Sequence, residues 1–292
     1  MTASELRAHF GAFNVAFTRA PGHAVELADR AAKSGRTFII ACGGDGTINE
    51  VANGIIGSGI DVELGILPSG TGGDFRRTIG IPRSNREAAV LLRTGRTRFI
   101  DAGKVTFIDH RGKTVSRYFL NVASVGLAAE VIKRVKSATA FDWLPVEAIR
   151  GKANFAFSAF QEVLDPNPSL VKVRIDDGEE HTLQTLAFCV ANSRFFGGGM
   201  KIAPNAKIND GLLDIVNIGD ISTARILFNA LSIYRGTHGA LPEVKGTRAK
   251  VIEISSADRF GTILLETDGE LPGRLPAKFE VVPDAIRIRV PR

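Results

Sequence analysis

Two glycine-rich stretches of this sequence each carry an acidic residue and each follow an apolar segment. The first is Cys-Gly-Gly-Asp-Gly-Thr at 42–47, and the second is Ser-Gly-Thr-Gly-Gly-Asp at 69–74. A glycine-rich turn that leads into a helix lets backbone N–H groups approach an anion, and the helix dipole favours negative charge there. A carboxylate repels phosphate unless a cation lies between them. The first stretch therefore predicts either a nucleotide site that uses Mg²⁺ or a turn whose acid, Asp45, caps the helix.

A third acidic residue, Asp101, is predicted to join Asp45 and Asp74 at one edge of a sheet. It follows Arg-Phe-Ile at 98–100, which reads as a strand that ends at Asp101. Three carboxylates at one phosphate site would repel each other and the phosphate unless metal ions or ordered water neutralised them. The set therefore favours a Mg²⁺–phosphate site over three unrelated turn residues.

A further acidic pair lies near the C-terminus, where Asp-Gly-Glu at 268–270 follows the apolar residues 264–265. Asp-Gly is the commonest hairpin signal, so the spacing by itself favours a turn. The alternative is a general base at the edge of a cleft, where a carboxylate accepts the proton of a hydroxyl group.

Other common chemistries are excluded by the pattern. The sequence has no P-loop, and no Gly-x-Gly-x-x-Gly follows a predicted strand. The five histidines lie far apart and never at metal-ligand spacing. The two cysteines, Cys42 and Cys189, are too few for a disulfide framework and indicate a reducing compartment.

The chain has 292 residues and a net charge of +6, spread along the sequence rather than clustered. Aromatic residues do not alternate with the basic ones, so we expect no nucleic-acid partner. Two explanations of the positive charge remain, namely a solvated basic surface or contact with an anionic membrane face. With no bilayer-spanning apolar run and no signal peptide, we expect a cytoplasmic protein that can lie at the inner membrane face. Phe195, Phe196 and residues 141–145 could contact a membrane, although the protein core is the favoured place for both. The oligomeric state stays open, a homodimer included.

The elements that must position these residues change in character near residue 105. Before it, strands at 37–41 and 62–67 alternate with helices at 24–32 and 85–94, the last with a Ser84–Glu87 capping box. This alternation predicts an α/β domain with a parallel sheet. After it, short strands separated by turn residues predict an antiparallel β-sandwich, with helices at 127–136, 143–163 and 222–234. The predicted strands are the runs at 117–123, 170–175, 183–191, 212–218, 250–255, 261–266 and 278–281. We therefore expect two domains, 1–105 and 106–292, with a cleft between them.

Five motifs in this order resemble the diacylglycerol kinase / sphingosine kinase-like lipid kinase family, in its bacterial soluble branch. They are Gly-Gly-Asp-Gly-Thr at 43–47, Gly-Thr-Gly-Gly-Asp-Phe at 70–75, Gly-Gly-Gly-Met at 197–200 with Ala-Pro at 203–204, Asn-Asp-Gly-Leu-Leu-Asp at 209–214, and Asp-Gly-Glu at 268–270. The first motif is shared with NAD kinases and phosphofructokinases. The resemblance implies an N-terminal Rossmann-like domain of that type, a C-terminal antiparallel β-sandwich domain for the lipid, and a last strand that returns toward the first domain.

The resemblance also implies an activity, namely ATP-dependent phosphorylation of a lipid hydroxyl, such as that of diacylglycerol, in the interdomain cleft. Asp268 would accept the hydroxyl proton, with Glu270 supporting it or carrying that role itself. A structural Mg²⁺ would be held by the backbone carbonyls of Lys207 and Leu212 and by the carboxylate of Asp210. Three acids, Asp45, Asp74 and Asp101, would organise Mg²⁺ and water around the phosphates. The whole nucleotide-binding set would be Thr18, Gly43, Gly44, Asp45, Gly46, Thr47, Asn49, Thr71, Asp74 and Asp101.

Two other functions stay open. A NAD kinase shares the first motif but is not expected to carry Asp-Gly-Glu in this position. The family usually opens with a strand that carries an Asn-Pro-x-Ser/Ala-Gly turn, whereas this sequence begins within what reads as the first helix. A catalytically inactive lipid-binding regulatory protein is therefore the second alternative.

Overall fold

The computed structural model describes residues 10–70, 72–137, 167–258 and 261–292, together with the single positions 7, 161 and 164. Thr71, the apolar segment 141–145 and nearly all of the helix predicted over 143–163 lie outside the described residues. Within them, no helix is both long enough and apolar enough to cross a membrane.

The fold is a mixed α/β structure with a large antiparallel sheet. Its first part contains α1 (His23–Lys33), β1 (Phe38–Gly43), α2 (Asp45–Ser58), β2 (Glu63–Pro68), α3 (Asp74–Ile79) and α4 (Asn85–Thr94). Its second part begins with β3 (Arg96–Asp109), β4 (Thr114–Phe119), β5 (Val122–Gly126), α5 (Leu127–Ser137), β6 (Ser169–Ile175), β7 (His181–Thr185) and β8 (Ala187–Ala191). It ends with β9 (Leu213–Ile218), α6 (Thr223–Arg235), a 3₁₀ turn (His238–Ala240), β10 (Val244–Ala249), β11 (Val251–Ser256), β12 (Leu264–Thr267) and β13 (Glu270–Val290).

The strands and helices of the first part form as their periodicity predicts. β1 and β2 are apolar and pair in parallel, and α1 packs against α2. The N-cap bond of the predicted capping box is confirmed, because the Ser84 hydroxyl accepts the N–H of Glu87 at 3.4 Å at the start of α4. One apolar core joins these helices to the strands, with Ile48, Leu64 and Leu92 at its centre.

The second part is an antiparallel sheet with the strand order β10-β9-β8-β5-β12-β13-β11-β6-β7. β6 alternates buried and exposed side chains, because one face of the sheet covers a second apolar core. β8, in contrast, is buried along its whole length. Phe119 and Phe279 pack edge to face in that core, with ring centroids 6.3 Å apart.

Two long strands, β3 and β13, run through both parts of the molecule. β13 pairs with β3 from Gly273 to Val290, and near its end it also pairs in parallel with β2 at Arg287 and Ile288. Arg289 on β13 forms two hydrogen bonds to the Glu63 carboxylate on β2, at 2.6 and 2.8 Å. The sheet of the first part is therefore completed by the last strand of the second.

The structure corrects several predicted boundaries. Asp101 does not end a strand, because pairing with β13 extends β3 through it to Asp109. The run at 117–123 is two strands, β4 and β5, and the run at 183–191 is also two, β7 and β8. The short helix α3 was not predicted, because it has six residues, too few to show a helical periodicity.

Candidate active site

Asp45 begins α2, yet its carboxylate serves the neighbouring helix. It accepts the N–H groups of Gly73 at 2.7 Å and of Asp74 and Phe75 at 3.1 Å, which lie at the start of α3. The N-terminus of α2 itself follows Gly44 and has no side-chain cap. The acid that was puzzling beside a phosphate site thus caps α3 and leaves the dipole of α2 free of a side-chain cap.

The two glycine-rich stretches contact each other. A Cβ on Gly70 would lie 2.4 Å from the Cα of Gly44, and a Cβ on Gly43 would lie 2.6 Å from the Cβ of Thr47. In contrast, a Cβ on Gly46 would meet no atom within 4 Å. Gly44 and Gly70 thus let the two backbones pack closely, Gly43 leaves room for the Thr47 side chain, and Gly46 borders open space at the start of α2.

Asp74 links the second stretch to the loop of three glycines at 197–199. Its carboxylate is buried, accepts the N–H of Gly198 at 2.7 Å and pairs with Arg77 at 2.6 Å. Burial raises the pKa of Asp74, and the Gly198 hydrogen bond opposes the rise. The second and third motifs are therefore tied together by one carboxylate.

Asp101 makes a similar connection to the fourth motif. Its buried carboxylate accepts the N–H of Gly211 at 2.8 Å and that of Asp284 at 2.9 Å. The carbonyl of Asp101 accepts the side-chain amide of Asn192 at 3.0 Å. This acid thus holds β3 to the fourth motif, to an irregular point of β13 and to the residue that follows β8.

The three acids are not one metal cluster. Burial is the main cause that raises the pKa of Asp74, and the charge of the nearby Asp45 raises it further. Among the described residues, however, no group of three His, Cys, Asp or Glu side chains could hold one metal ion. Each carboxylate oxygen of Asp45, Asp74 and Asp101 already accepts at least one N–H. The predicted role of these acids around Mg²⁺ stays a prediction.

Asp268 lies in a turn between β12 and β13, in a left-handed backbone conformation with φ of 48°. Its Oδ1 accepts the N–H of Asn121 at 2.9 Å and of Val122 at 3.1 Å. Its Oδ2 accepts the N–H of Leu120 at 2.8 Å and the side-chain amide of Asn49 at 2.6 Å. Burial raises the pKa of Asp268 to about 6, and the three backbone N–H groups oppose that rise. These bonds explain why β4 and β5 are separate: the backbone between them turns its N–H groups to Asp268.

Asn49 connects the first motif to the last. It is buried on α2, and besides Asp268 its amide reaches the carbonyl of Tyr118 at 3.1 Å. Its Oδ1 accepts a bond from Arg117 at 3.3 Å, and Arg117 also pairs with Glu270 at 2.9 Å. Sequence reasoning missed Arg117, because a lone arginine in a strand of an antiparallel sheet carries no motif.

Glu266 is a second residue that the sequence analysis missed. Its carboxyl is buried beneath the Asp-Gly-Glu turn, where it accepts the hydroxyl of Ser124 at 2.5 Å and the N–H of Gly269 at 2.7 Å. Burial raises the pKa of Glu266 to about 7, and both hydrogen bonds oppose the rise. The available signal was an acidic residue inside the apolar strand 264–267.

The predicted structural metal site lies at the fourth motif. Asp210 has one buried oxygen, Oδ1, with no hydrogen-bond partner among the described residues, while Oδ2 lies 3.6 Å from Arg248. Burial, and then the charge of Asp210, raise the pKa of Asp214 to about 6. Lys207 is exposed at the edge of a cavity of about 940 Å³, and Leu212 is half-buried. The remaining predicted residue, Thr18, is exposed in the irregular segment before α1.

Comparison with known proteins gives a consistent result. Residues 2–105 match the family described as the diacylglycerol kinase catalytic domain, and residues 121–290 match the YegS C-terminal NAD kinase beta sandwich-like domain. The chain is 31% identical over 263 residues to a diacylglycerol kinase of Mycobacterium tuberculosis, covering 90% of this chain and 79% of that one. It is also 31% identical over 272 residues to a diacylglycerol kinase of Staphylococcus epidermidis, covering 93% and 79%.

A solved structure from Bacillus anthracis, provisionally named a diacylglycerol kinase, has the same fold. Its TM-score to this chain is 0.76, with 26% sequence identity, and the match covers 99% of this chain and 89% of that one. The two matched domain families span both parts of the molecule, and all five motifs lie within them. The chain therefore belongs to the diacylglycerol kinase family.

Proposed function

We propose that this protein is an ATP-dependent lipid kinase that phosphorylates the hydroxyl of diacylglycerol or a related lipid. In this proposal, residues 1–105 act as a Rossmann-like nucleotide-binding domain, residues 106–292 receive the lipid, and the reaction takes place between them. The observation that carries the proposal is the 2.6 Å hydrogen bond from Asn49 to Asp268. It joins the glycine-rich helix, which suits a phosphate, to the acidic turn, which suits a hydroxyl.

The N-terminus of α2 has the chemistry of a phosphate site. Its N–H groups and dipole favour an anion, Gly44 leaves it without a side-chain cap, and Gly46 leaves space beside it. The Asp45 charge is offset by three N–H groups of α3. Gly43, Gly44, Gly46 and Thr47 would therefore hold the phosphates of the nucleotide.

The acids near this helix suit Mg²⁺ that keeps its own water. Each oxygen of Asp45, Asp74 and Asp101 is already hydrogen-bonded, which fits contact through water rather than direct chelation by all three. When bound, Mg²⁺ supplies neutralising charge to the phosphates. The separate structural cation would be held by Asp210, whose buried Oδ1 needs a partner, and by the carbonyls of Lys207 and Leu212.

Glu270 is better suited than Asp268 to accept the proton of the lipid hydroxyl. Asp268 uses both oxygens for two N–H groups each, so it has little capacity left for a hydroxyl. The Glu270 side chain is 38% exposed, and within the described part of the chain only its Oε2 is bonded, to Arg117. In the proposed reaction Glu270 takes the hydroxyl proton, and the lipid oxygen displaces ADP from the γ-phosphorus. Asp268 and Arg117 position Glu270 against α2.

The test is a phosphotransfer assay with labelled ATP, Mg²⁺ and a panel of lipids that includes diacylglycerol, a monoacylglycerol and a sphingoid base. We expect label in the phosphatidic acid fraction. A parallel reaction contains NAD instead of lipid, because the C-terminal match includes a NAD kinase-like description. Formation of NADP without labelled lipid would assign the alternative activity, and binding of lipid without transfer of label would indicate an inactive lipid-binding protein.

A further inference from the structure

One apolar side of α6 points away from the protein, while Ile233 on the other side packs against a core cluster. Phe228 is 90% exposed and Leu231 is 64% exposed, and Leu227 and Tyr234 are exposed beside them. Their spacing of one, three and three residues places them on one side of the helix, here called the outer face of α6. No residue of this helix is buried. A surface helix normally turns its apolar stripe toward the core, so an exposed stripe of this kind marks an interaction surface.

The charges of the helix are all positive. α6 contains Arg225 and Arg235 and no acidic residue. Arg225 forms an ion pair with Glu243 at 2.9 Å. Arg235 lies in the last turn of the helix, and a second cation lies close to that end. That cation is Lys201, whose Cδ would lie 3.4 Å from a Cβ placed on Gly236. Apolar side chains flanked by cations are complementary to an anionic lipid surface.

The helix is also connected to the candidate active site. The carbonyl of Ile233 accepts the N–H of Lys201 at 2.9 Å. Three residues earlier in the chain, Gly198 donates its N–H to Asp74 of the second glycine-rich stretch. A surface that binds α6 is therefore coupled to the site by the short segment 198–201.

We propose that the outer face of α6 docks this protein onto a bilayer of anionic lipids. The inference rests on the proposed function, since a diacylglycerol substrate resides in a bilayer. It replaces the sequence-based candidates: Phe195 and Phe196 are half-buried, and Phe196 packs against a core cluster, while residues 141–145 lie outside the described residues. A second copy of the chain is disfavoured as the partner, because two such helices would bring only positive charges together.

Sedimentation of the full chain with vesicles tests the docking without any need for catalysis. The vesicles contain either phosphatidylcholine alone or an equimolar mixture with phosphatidylglycerol. We expect binding to the mixed vesicles, and we expect Phe228→Asp to lower the partition coefficient about tenfold or more. Arg235→Gln should lower binding to the mixed vesicles about fivefold and leave the weak binding to phosphatidylcholine unchanged.

The matched control is Val90→Asp, which places the same charge at an exposed apolar residue of another helix, α4 in the first part of the molecule. It should bind vesicles like the unmodified protein. Kinase assays give an independent result: Phe228→Asp should keep its activity on dissolved short-chain diacylglycerol and lose it on vesicles. If no lipid is phosphorylated, the proposed function fails, while sedimentation still decides the docking. Negligible binding of the unmodified protein, equal binding of Phe228→Asp, or a dimer that Phe228→Asp dissociates would each overturn it.

Discussion

The two acids of the Asp-Gly-Glu turn should respond differently when each is changed to its amide. In Asp268→Asn, one side-chain position becomes an NH₂ group that faces two N–H donors, whichever way the amide turns. An unpaired buried donor costs about 1–3 kcal/mol. We therefore expect Asp268→Asn to lower the free energy of unfolding by about 2–6 kcal/mol.

Glu270→Gln should have the opposite character. Glu270 is partly exposed, and its ion pair with Arg117 is worth about 1 kcal/mol or less. The glutamine oxygen can still accept a bond from Arg117, so the fold should keep nearly all of its stability. Loss of a general base lowers kcat about 10²–10⁴-fold. Glu270→Gln should thus be stable and almost inactive.

Urea unfolding followed by fluorescence, together with kcat on diacylglycerol, measures both effects on the same preparations. Because Asp268→Asn is expected to be unstable, its activity is measured only at temperatures where it is folded. The reasoning is wrong if Asp268→Asn unfolds at the urea concentration of the unmodified protein and has no turnover, while Glu270→Gln turns over normally. That pair of results would make Asp268 the base.

Three further changes follow from the contacts. Gly46→Ala adds a methyl group where no atom lies within 4 Å. It should keep or slightly raise the melting temperature, yet weaken ATP binding, measured by calorimetry, about tenfold or more. The control is Gly57→Ala, which is equally open and lies at the far end of α2; equal ATP affinity of the two variants would refute a phosphate site at Gly46. Glu266→Gln removes a carboxyl whose pKa rises from 4.5 to about 7 on folding. The unmodified protein should therefore lose up to about 3 kcal/mol of stability as the pH rises from about 4.5 to 7, whereas the variant should keep it. Urea titrations measure this difference, and parallel pH profiles of the two proteins would contradict it. Arg289→Met leaves the Glu63 carboxylate without its main partner and should lower the free energy of unfolding by about 3–5 kcal/mol at pH 7. Because Arg289 lowers the pKa of Glu63, this loss should shrink as the pH falls below about 4.5. A loss that is the same at every pH would refute the reasoning.

Local patterns in the sequence predicted most of the elements correctly. Helix periodicity and the Ser84 cap located α4, and apolar runs located β1, β2 and β6. These features depend on residues a few positions apart, which is why a single sequence contains them.

Contacts between distant residues were beyond such patterns. β3 continues past Asp101 because β13, more than 160 positions later, pairs with one of its edges and β4 with the other. Asp268 reaches N–H groups about 147 positions away, so nothing near it in the sequence indicates that its oxygens are already occupied. The outward turn of the apolar stripe on α6 was also unpredictable, since the same periodicity normally indicates a buried face.

The motif residues could be found, but the reason for their order required the structure. Asp45, Asp74 and Asn49 each bond to a residue of another motif, and Asp101 bonds to Gly211 of the fourth. The presence of these short motifs together in one chain thus has a structural reason, because each carboxylate or amide needs the loop that carries its hydrogen-bond partner.

The path of β13 has a consequence for how the protein folds during synthesis. Residues 286–290 supply the strand that lies beside β2 and beside the first half of β3. The helices and strands made first must therefore wait, with one side of β2 unpaired, until residues 286–290 have left the ribosome. Contacts of such long sequence separation form slowly and leave partly folded intermediates exposed to aggregation. Nascent chains stalled before residue 286 should accordingly depend on chaperones and resist proteases less than the released protein.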